Sequence, residues 1–404
     1  MAPRPWLTIV GIGEDGAAGL SPAAREAVAA ASIVFGGRRH LDRAGDLLRG
    51  DARAWPSPFE AGVREVLARR GSPVCVLASG DPFLFGVGAT LARQVPAGEM
   101  RALPAPSAFS LAAARLGWAL QEVECVSLHG RALDLVRPCL QPGRRVLALT
   151  SDAAGPAALA ALLAATGFGA SRLHVLEALG GPRERVRTAR AAAFDLADVD
   201  TLNLVALEVV ADAEARVLAL APGRPDALYE HDGQITKREI RAMTLAALAP
   251  RRGELLWDIG AGSGSIGIEW MLADPSLRAI AIEARADRAA RIARNAASFG
   301  VPGLTIVEGE APAALTGLPT PDAIFIGGGA SDAGVIDAAL GALATGGRLV
   351  ANAVTLETEA LLLARHAALG GELTRIAIAR AAPVAGMTGW RPAMPVTQWS
   401  VVKP

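Results

Sequence analysis

Residues 255–265 read LLWDIGAGSGS, an apolar run followed by three alternating glycines. This order predicts a strand, a turn and then a helix whose first N–H groups face a ligand, because glycine permits positive φ angles and close approach of the backbone. The next predicted strand ends at Glu283, about twenty residues later, where a carboxylate can accept both ribose hydroxyls of an adenosine. The glycines alone could make only a tight turn, but with Asp258 and Glu283 in register they predict a cofactor loop.

Details of the same loop favour S-adenosylmethionine over a dinucleotide. A dinucleotide loop has the spacing G-x-G-x-x-G, and here Ser265 stands where the third glycine would fall. Asp258 can reach the ammonium group of S-adenosylmethionine directly or through water, and the turn Gly309-Glu310-Ala311 suits adenine. A nicotinamide oxidoreductase is the weaker alternative.

The last 170 residues or so alternate strands and helices, which predicts a parallel sheet. Two later strands, near Thr374–Ala379 and Gln398–Val402, are expected on either side of a long loop. This pattern is typical of the methyltransferase variant of the doubly wound α/β fold. The five alternating strands are predicted at Leu255–Ile259, Ala279–Glu283, Thr305–Glu308, Ala323–Ile326 and Arg348–Asn352.

The first half reads as two small α/β lobes within residues 1–210. A parallel sheet is expected in the first lobe, where Ser21 and Pro22 predict the start of a helix. Residues 211–229 are rich in turn formers and predict a linker, so that a second domain covers 230–404. The predicted strands of this half are Trp6–Val10, Ile33–Phe35, Val74–Ala78, Val146–Thr150, Leu173–Leu176 and Leu202–Glu208.

Three segments of the first half are weaker candidates for function. Gly11–Gly16 has the spacing G-x-G-x-x-G, but no acidic ribose partner follows the next strand, so a plain turn or a substrate-facing loop is as well supported as a phosphate cradle. The turn Ser79-Gly80-Asp81-Pro82 presents a carboxylate. Arg38, Arg39 and His40 could bind an anionic substrate or form a solvated turn.

Composition limits the class of protein. The 404 residues include 40 basic and 40 acidic side chains, a balance that disfavours nucleic acid as a partner. Three cysteines without a CxxC pair predict neither a disulfide framework nor a metal site. No apolar run reaches the ~18 residues of a membrane span, and Met1–Pro5 lacks the features of a signal peptide, so a cytoplasmic protein without a membrane partner is expected.

The motifs resemble two known families. Residues 1–210 resemble the tetrapyrrole (precorrin) methylases of the C5-methylating type, on the motifs Val10–Gly13, Val34–Leu41, Leu77–Pro82 and Pro104–Ser110. Residues 230–404 resemble the C15-methylating, decarboxylating precorrin methyltransferases, on the motifs His231–Glu239, Asp258–Gly264, Phe325–Gly329 and Asn352–Glu357.

The resemblance implies a two-lobed tetrapyrrole-methylase fold followed by a class I Rossmann-like methyltransferase domain. It also implies two S-adenosylmethionine sites, the first folded into the cleft between the N-terminal lobes. The expected cofactor-binding residues there are Ser79, Gly80, Asp81, Pro82 and Ser107. In the second half they are Thr236, Asp258, Gly260, Ala261, Gly262, Ser263, Gly264, Glu283, Glu310 and Ala311.

The substrate that the resemblance implies is a reduced tetrapyrrole of cobalamin biosynthesis, methylated at C5 and C15 with loss of the C12 acetate carboxylate as carbon dioxide. Its reacting carbons are enamine-like, so no strong base is expected. The resemblance also implies that the protein forms a homo-oligomer. Methylation of another small molecule and a non-catalytic corrinoid sensor are the alternatives. Arginine forks suit carboxylates, and the candidates for binding them are Arg38, Arg39, His40, Lys237, Arg238, Arg241 and Arg391.

Overall fold

The structure is a computed structural model that describes residues 5–404. The chain divides into two compact units. Unit 1 comprises the chain up to Leu133 together with Cys139–Val217, and unit 2 comprises Asp134–Pro138 and Leu218–Pro404. The expectation about a signal peptide falls largely on residues 1–4, which lie outside the described residues. Among residues 5–404, no helix is both long and apolar enough to span a membrane.

The first lobe of unit 1 contains a five-stranded parallel sheet in the order β3-β2-β4-β1-β5, which confirms the predicted parallel arrangement. Its strands are β1 (Leu7–Ile12), β2 (Ile33–Gly36), β3 (Asp51–Ala54), β4 (Val74–Ser79) and β5 (Met100–Leu103). Its helices are α1 (Pro22–Ala30), α2 (Arg38–Ala44), α3 (Phe59–Ala68) and α4 (Val87–Leu91). Alternate residues of β1 enter two cores on opposite faces, Leu7 and Ile9 on one and Val10 and Ile12 on the other. The Ser21 hydroxyl accepts a hydrogen bond from the Ala24 N–H, so α1 begins where the sequence predicts.

The second lobe contains a mixed five-stranded sheet in the order β6-β7-β10-β8-β9. Only β6 and β7 pair in parallel, and the other neighbours are antiparallel. The strands are β6 (Val123–Ser127), β7 (Arg145–Leu149), β8 (Arg172–Glu177), β9 (Arg185–Arg190) and β10 (Asn203–Glu208). Helices α5 (Ala108–Leu116) and α6 (Gly155–Ala165) belong to this lobe.

Unit 2 is a seven-stranded sheet in the order β13-β12-β11-β14-β15-β19-β16. The first five strands are parallel and the last two are antiparallel to their neighbours. The strands are β11 (Leu255–Ile259), β12 (Arg278–Glu283), β13 (Thr305–Glu308), β14 (Ala323–Ile326), β15 (Arg348–Ala353), β16 (Glu372–Ile376) and β19 (Val396–Val402). The helices are α7 (Arg238–Leu248), α8 (Ser265–Met271), α9 (Ala286–Ser298), α10 (Val335–Ala342) and α11 (Leu356–Leu369).

The sheet order of unit 2 reverses at β11. Chain order runs outward from β11 through β12 and β13 on one side and through β14 and β15 on the other. Ligands of open α/β sheets bind in the crevice beyond the carboxyl ends of the strands at such a reversal. The fold therefore places the loop after β11 where a cofactor is expected, and the predicted α/β architecture of both halves is confirmed.

Two predictions about local structure are corrected. The expected long loop before the last strand contains a hairpin, β17 (Ala379–Val384) and β18 (Met387–Pro392), because Ala385 and Gly386, both with positive φ, form a two-residue turn. The end of the predicted linker 211–229 is packed rather than loose, since Leu218 and Tyr229 lie in the core of unit 2.

Candidate active sites

The glycine loop of unit 2 needs its glycines for close packing. Gly260, Gly262 and Gly264 have φ angles of 68°, 60° and 75°. A Cβ on Gly260 would lie 2.7 Å from the carbonyl oxygen of Gly328, and one on Gly264 would lie 2.7 Å from a methyl carbon of Ile292. The loop is therefore held between the turn after β14 and helix α9, and the backbone of Gly262 lies at the carboxyl end of the central strand β11.

Glu283 ends β12 beside this loop, in the register that the sequence predicts. Its Oε2 accepts a hydrogen bond of 2.8 Å from the Gly262 N–H, and its Oε1 accepts one of 3.1 Å from the Arg285 N–H. A carboxylate has about four lone-pair sites, so two remain for further donors such as ribose hydroxyls.

Asp258 lies at the base of the loop and is 1% exposed. Its Oδ2 accepts a hydrogen bond of 2.9 Å from the Gly267 N–H in α8, while its Oδ1 has no hydrogen-bond partner among the described residues. Burial, together with the negative charge of Glu283, raises the pKa of this carboxyl to about 7, although the hydrogen bond from the Gly267 N–H opposes the change. Asp258 thus holds the strand-to-helix turn and keeps one acceptor unused.

The predicted role of Arg241 in binding a substrate carboxylate is wrong. Its side chain is fully buried and its guanidinium donates to Glu269 Oε1 at 2.7 Å and to the Thr236 carbonyl oxygen at 2.6 Å. Glu269 is also buried, and it accepts a further hydrogen bond of 2.9 Å from the Tyr229 hydroxyl. Because Arg241 is fully buried, its guanidinium does not face a substrate, and instead it fixes the segment that carries Thr236.

That segment lies over the glycine loop. The carbonyl oxygen of Gln234 would be 3.5 Å from a Cβ on Gly262. Asn295 on α9 connects the two: its side chain accepts from the Glu230 N–H at 2.9 Å and donates to the Ser263 carbonyl oxygen at 2.9 Å. The structure therefore brings Thr236 to the same end of the sheet as the residues predicted from the glycine motif.

The remaining predicted residues of unit 2 are accessible. The Gly309 N–H donates to the Glu283 carbonyl oxygen at 3.0 Å, which places the turn with Glu310 and Ala311 beside that carboxylate. Lys237, Arg238 and Arg391 are exposed. These three cations form no ion pair within residues 5–404, so they stay candidates for substrate carboxylates.

Unit 1 contains a cavity of about 640 Å³. It is bounded on one side by the carboxyl ends of β1 and β4 in the first lobe and on the other by residues of β7 and β10 in the second. Ser79, Gly80 and Ser107 line it, as expected for the first cofactor site. Asp81 and Pro82 do not, because the Asp81 carboxylate turns back to accept a hydrogen bond of 2.8 Å from the Phe83 N–H.

The glycine motif at residues 11–16 has a packing role. A Cβ on Gly11 would lie 1.8 Å from the carbonyl oxygen of Gly80 and 2.6 Å from the Ala105 nitrogen. The Gly80 N–H in turn donates to the Ile12 carbonyl oxygen. Gly11 is therefore required where three backbone segments meet, while Gly13 and Glu14 of the same motif line the cavity.

A polar cluster of four side chains, Glu14, Arg39, His40 and Ser79, lines one wall of the cavity. Arg39 forms an ion pair with Glu14 and donates to the Ser79 hydroxyl at 3.0 Å, while His40 Nε2 lies 2.8 Å from the same hydroxyl. Arg38 is exposed and does not line the cavity. Arg38, Arg39 and His40, which the sequence predicts as one anion-binding group, thus have different surroundings: the last two line the cavity and Arg38 does not.

The opposite wall carries polar side chains that sequence reasoning missed. The Thr150 hydroxyl donates to Asn203 Oδ1, and the Asn203 amide donates to the Asp152 carbonyl oxygen at 2.9 Å. Ser151 and His129 line the same wall. The resemblance of Ser151-Asp152 to Ser79-Gly80-Asp81 was the one available signal, and it is too weak to have identified these residues.

Two different family models match the chain, one mainly within unit 1 and the other within unit 2. Residues 6–195 match the family model of Tetrapyrrole (Corrin/Porphyrin) Methylases, and residues 227–403 match the Precorrin methyltransferase domain. A Sinorhizobium protein named precorrin-6Y C(5,15)-methyltransferase [decarboxylating] is 68% identical over 399 residues, 99% of this chain and 97% of the relative. The chain belongs to this precorrin-6Y C(5,15)-methyltransferase family. Two further relatives each match less than half of this chain, and each is named for methylation at one carbon only.

The first of these, a Salmonella typhimurium cobalt-precorrin-7 C(5)-methyltransferase, is 32% identical over 180 residues, 45% of this chain and 88% of the relative. The second, a Saccharolobus solfataricus protein named probable cobalt-precorrin-6B C(15)-methyltransferase (decarboxylating), is 38% identical over 168 residues, 39% of this chain and 84% of the relative.

Membership of the precorrin-6Y C(5,15)-methyltransferase family establishes a methyltransferase, and it implies S-adenosylmethionine as the methyl donor. The described residues of unit 2 fit that group, because Glu283 keeps two acceptor sites, Asp258 keeps one and the glycines leave room that a Cβ would fill. The alternative of a nicotinamide oxidoreductase is thereby set aside.

Proposed function

We propose that the chain methylates precorrin-6Y at C5 and C15 and removes the C12 acetate carboxylate, which yields precorrin-8 in cobalamin biosynthesis. Unit 1 carries out the C5 methylation, and unit 2 carries out the C15 methylation and the decarboxylation. The observation that supports this division is that each unit has its own ligand-binding apparatus, a cavity of about 640 Å³ in unit 1 and the glycine loop with Glu283 in unit 2.

The chain's own residues must bind, orient and exclude water. S-adenosylmethionine supplies an activated methyl group, so catalysis depends mainly on holding donor and acceptor carbon at near-attack distance. In unit 2 the Glu283 carboxylate, fixed by the Gly262 and Arg285 N–H groups, orients the ribose. The unused Asp258 oxygen is placed for a cationic group of the same ligand.

Decarboxylation requires that the departing carboxylate be held while its bonding electrons pass into the conjugated ring. Lys237 and Arg238 at the start of α7 and Arg391 on β18 are the candidates for holding substrate carboxylates in unit 2. Unlike Arg241, these cations have no competing carboxylate among the described residues.

Separation of the two activities tests the division. Thr201 lines the unit 1 cavity and its side chain is exposed, so Thr201→Trp fills the cavity without disturbing a buried contact. With precorrin-6Y and isotopically labelled methyl donor, mass spectrometry should show two methyl groups gained and one carbon dioxide lost for the unchanged chain. Thr201→Trp should give one methyl group and the loss of carbon dioxide. Thr201→Ala, which fills nothing, is the matched control.

The complementary variant is Glu283→Ala. It should abolish C15 methylation and decarboxylation but still methylate at C5 the product made by Thr201→Trp. A mixture of the two variants should therefore restore two methyl groups. Loss of both activities in either variant, with the fold intact by circular dichroism, would contradict the division of labour.

The number of cofactor sites is part of the proposal. Calorimetric titration with S-adenosylmethionine should give two sites per chain, one of which is lost in Thr201→Trp and the other in Glu283→Ala. A single site in the unchanged chain would show that only one unit binds the donor.

We further propose that the chain forms a homo-oligomer through the hairpin β17–β18. Val384, Met387 and Trp390 are 57%, 76% and 77% exposed, and a two-stranded hairpin alone is marginally stable in water, so a second copy is the occupant that would cover it. Sedimentation should show an oligomer that Met387→Ser with Trp390→Ser dissociates. Leu220→Ser, at an equally exposed leucine outside the hairpin, is the control. A monomeric unchanged chain would refute this proposal.

A further inference from the structure

The polar cluster in the unit 1 cavity has a defined direction of hydrogen bonding. An arginine only donates, so the 3.2 Å contact between Arg39 Nη2 and His40 Nε2 is a hydrogen bond in the tautomer that carries the imidazole hydrogen on Nδ1 and the lone pair on Nε2. The Ser79 hydroxyl then accepts from Arg39 at 3.0 Å and donates to His40 Nε2 at 2.8 Å. Ser79 is exposed and lines the cavity, so the second lone pair of its oxygen is open to a ligand.

Electrostatics keep the imidazole uncharged. Burial and then the positive charge of Arg39 lower the pKa of His40 to about 4, and the carboxylate of Glu14 opposes this change. Glu14 itself is bound by Arg39 and by Arg43, which lies at 2.7 Å, so little of its charge reaches the imidazole. The imidazole is therefore uncharged in the neutral pH range, and its single Nε2 lone pair is shared between the Ser79 hydroxyl at 2.8 Å and the Arg39 N–H at 3.2 Å.

The proposed C5 methylation needs a proton acceptor, and the inference rests on that function. A bond forms between the methyl carbon and C5, while the electrons of the broken carbon–sulfur bond stay on sulfur. The ring becomes a cation, and a C–H bond must then break so that its electrons restore the conjugation. One proton leaves for the methyl group added at C5. Because the methylated ring is positively charged, this proton is acidic, so a weak base suffices.

We propose that Ser79 and His40 form the proton relay for the C5 methylation. The Ser79 oxygen receives the proton released by the methylated ring and passes its own hydrogen to His40 Nε2. Arg39 positions the serine oxygen, and Glu14 positions Arg39. The low basicity of His40 then favours release of the proton to solvent before the next turnover.

The test uses His40→Gln in the full-length protein. Glutamine keeps a hydrogen-bonding partner for Ser79 but cannot take up a proton, so C5 methylation should fall about 100-fold, within the range of general base catalysis. C15 methylation and loss of carbon dioxide by the same molecules should stay unchanged, which reports that the chain is folded. His366→Gln, in α11 of unit 2, is the control and should leave both rates as they are.

Chemical rescue separates proton transfer from a merely structural role. His40→Ala leaves space beside Ser79, and added imidazole should restore C5 methylation at least tenfold, with rates that follow the basicity of substituted imidazoles. Unimpaired C5 methylation in His40→Gln, or loss that imidazole does not rescue, would overturn the relay. A raised KM with an unchanged kcat would instead assign the cluster to binding of a substrate carboxylate. If Thr201→Trp leaves C5 methylation intact, the proposed function fails rather than the relay.

Discussion

The two glycine loops of this chain differ in what their backbones contact. Gly11–Gly16 has the full spacing of a dinucleotide loop, yet Gly11 serves the packing of β1 against the Gly80 turn. Gly260–Gly264 lacks the third spaced glycine, yet its Gly262 N–H is bound by a carboxylate at the end of the neighbouring strand. Under the proposed function, a carboxylate at the end of the next strand, rather than the glycine spacing, marks the cofactor loop.

The acidic residues near the two loops, Glu14 and Glu283, also differ in their hydrogen-bond partners. Glu14 in the first loop is 4% exposed and is neutralised by Arg39 and Arg43. Glu283 near the second is 5% exposed and is held by backbone N–H groups, without an ion pair in the described part of the chain. The two carboxylates accept the same number of hydrogen bonds, but the charge of Glu14 is balanced by two guanidinium groups, whereas Glu283 is held by neutral backbone donors.

The first effect is on the folding of unit 1. Gly11→Ala places a Cβ 1.8 Å from the Gly80 carbonyl oxygen, a backbone atom that cannot move aside alone. We expect a loss of about 3 kcal/mol in the free energy of unfolding, at the upper end of overpacking effects. Denaturant unfolding combined with hydrogen exchange in β1 and β4 measures it.

The control for this substitution is Gly98→Ala in the same unit, where an added Cβ meets nothing within 4 Å. It should leave the exchange rates of β1 and β4 unchanged. C15 methylation should survive in both variants. If Gly11→Ala is as stable as Gly98→Ala and instead weakens cofactor binding, the first loop is a ligand cradle after all.

The second effect is on cofactor affinity in unit 2. Glu283→Gln replaces one carboxylate oxygen by an NH₂ group that faces a backbone N–H, of either Gly262 or Arg285. We expect an affinity loss of about 2 kcal/mol, roughly 30-fold, as for a hydrogen bond to a charged group. Calorimetry of the second site measures it, and Glu372→Gln, exposed on the far edge strand β16, should have no effect.

Sequence patterns predicted the parts of the fold that depend on local signals. The strands β11, β13 and β14 have the predicted bounds, because each is a short apolar run ended by a turn. The exposed strand β3, Asp51–Ala54, was missed because it has no buried face to produce a pattern. Edge strands of this kind are defined by pairing with a distant segment and not by their own composition.

The candidate sites were predicted unevenly for a related reason. Glu283 and Gly262 are set by one strand-to-helix unit, so spacing suffices to place them. Arg241 was misjudged because its partner Glu269 stands 28 positions away on another helix. Thr150 and Asn203 meet only across the second sheet, at a separation of 53 residues. Side chains whose partners are remote in sequence carry no local signal of their role.

The third effect concerns Asp258 and the dependence of stability on pH. Its pKa is raised from 3.8 to about 7, so between these values the folded chain holds a proton that the unfolded chain has lost. The free energy of unfolding of unit 2 should therefore fall as pH rises from 4 through 7, and Asp258→Asn should remove this decline. Asparagine can still accept from the Gly267 N–H, so the turn is retained. Thermal unfolding at a series of pH values measures the difference.

Ligand binding tests whether the unused oxygen of Asp258 faces the ammonium group. A cation there favours the ionised form, so Asp258 should release about half a proton when S-adenosylmethionine binds at pH 7. Calorimetric titration in buffers of different ionisation enthalpy measures the number of protons released for each ligand bound. Asp258→Asn should release none, and S-adenosylhomocysteine, which keeps the ammonium but lacks the sulfonium charge, should release the same amount. Binding without proton release in the unchanged chain would restrict Asp258 to holding the turn, and Glu283 alone would then distinguish this loop from the one at Gly11.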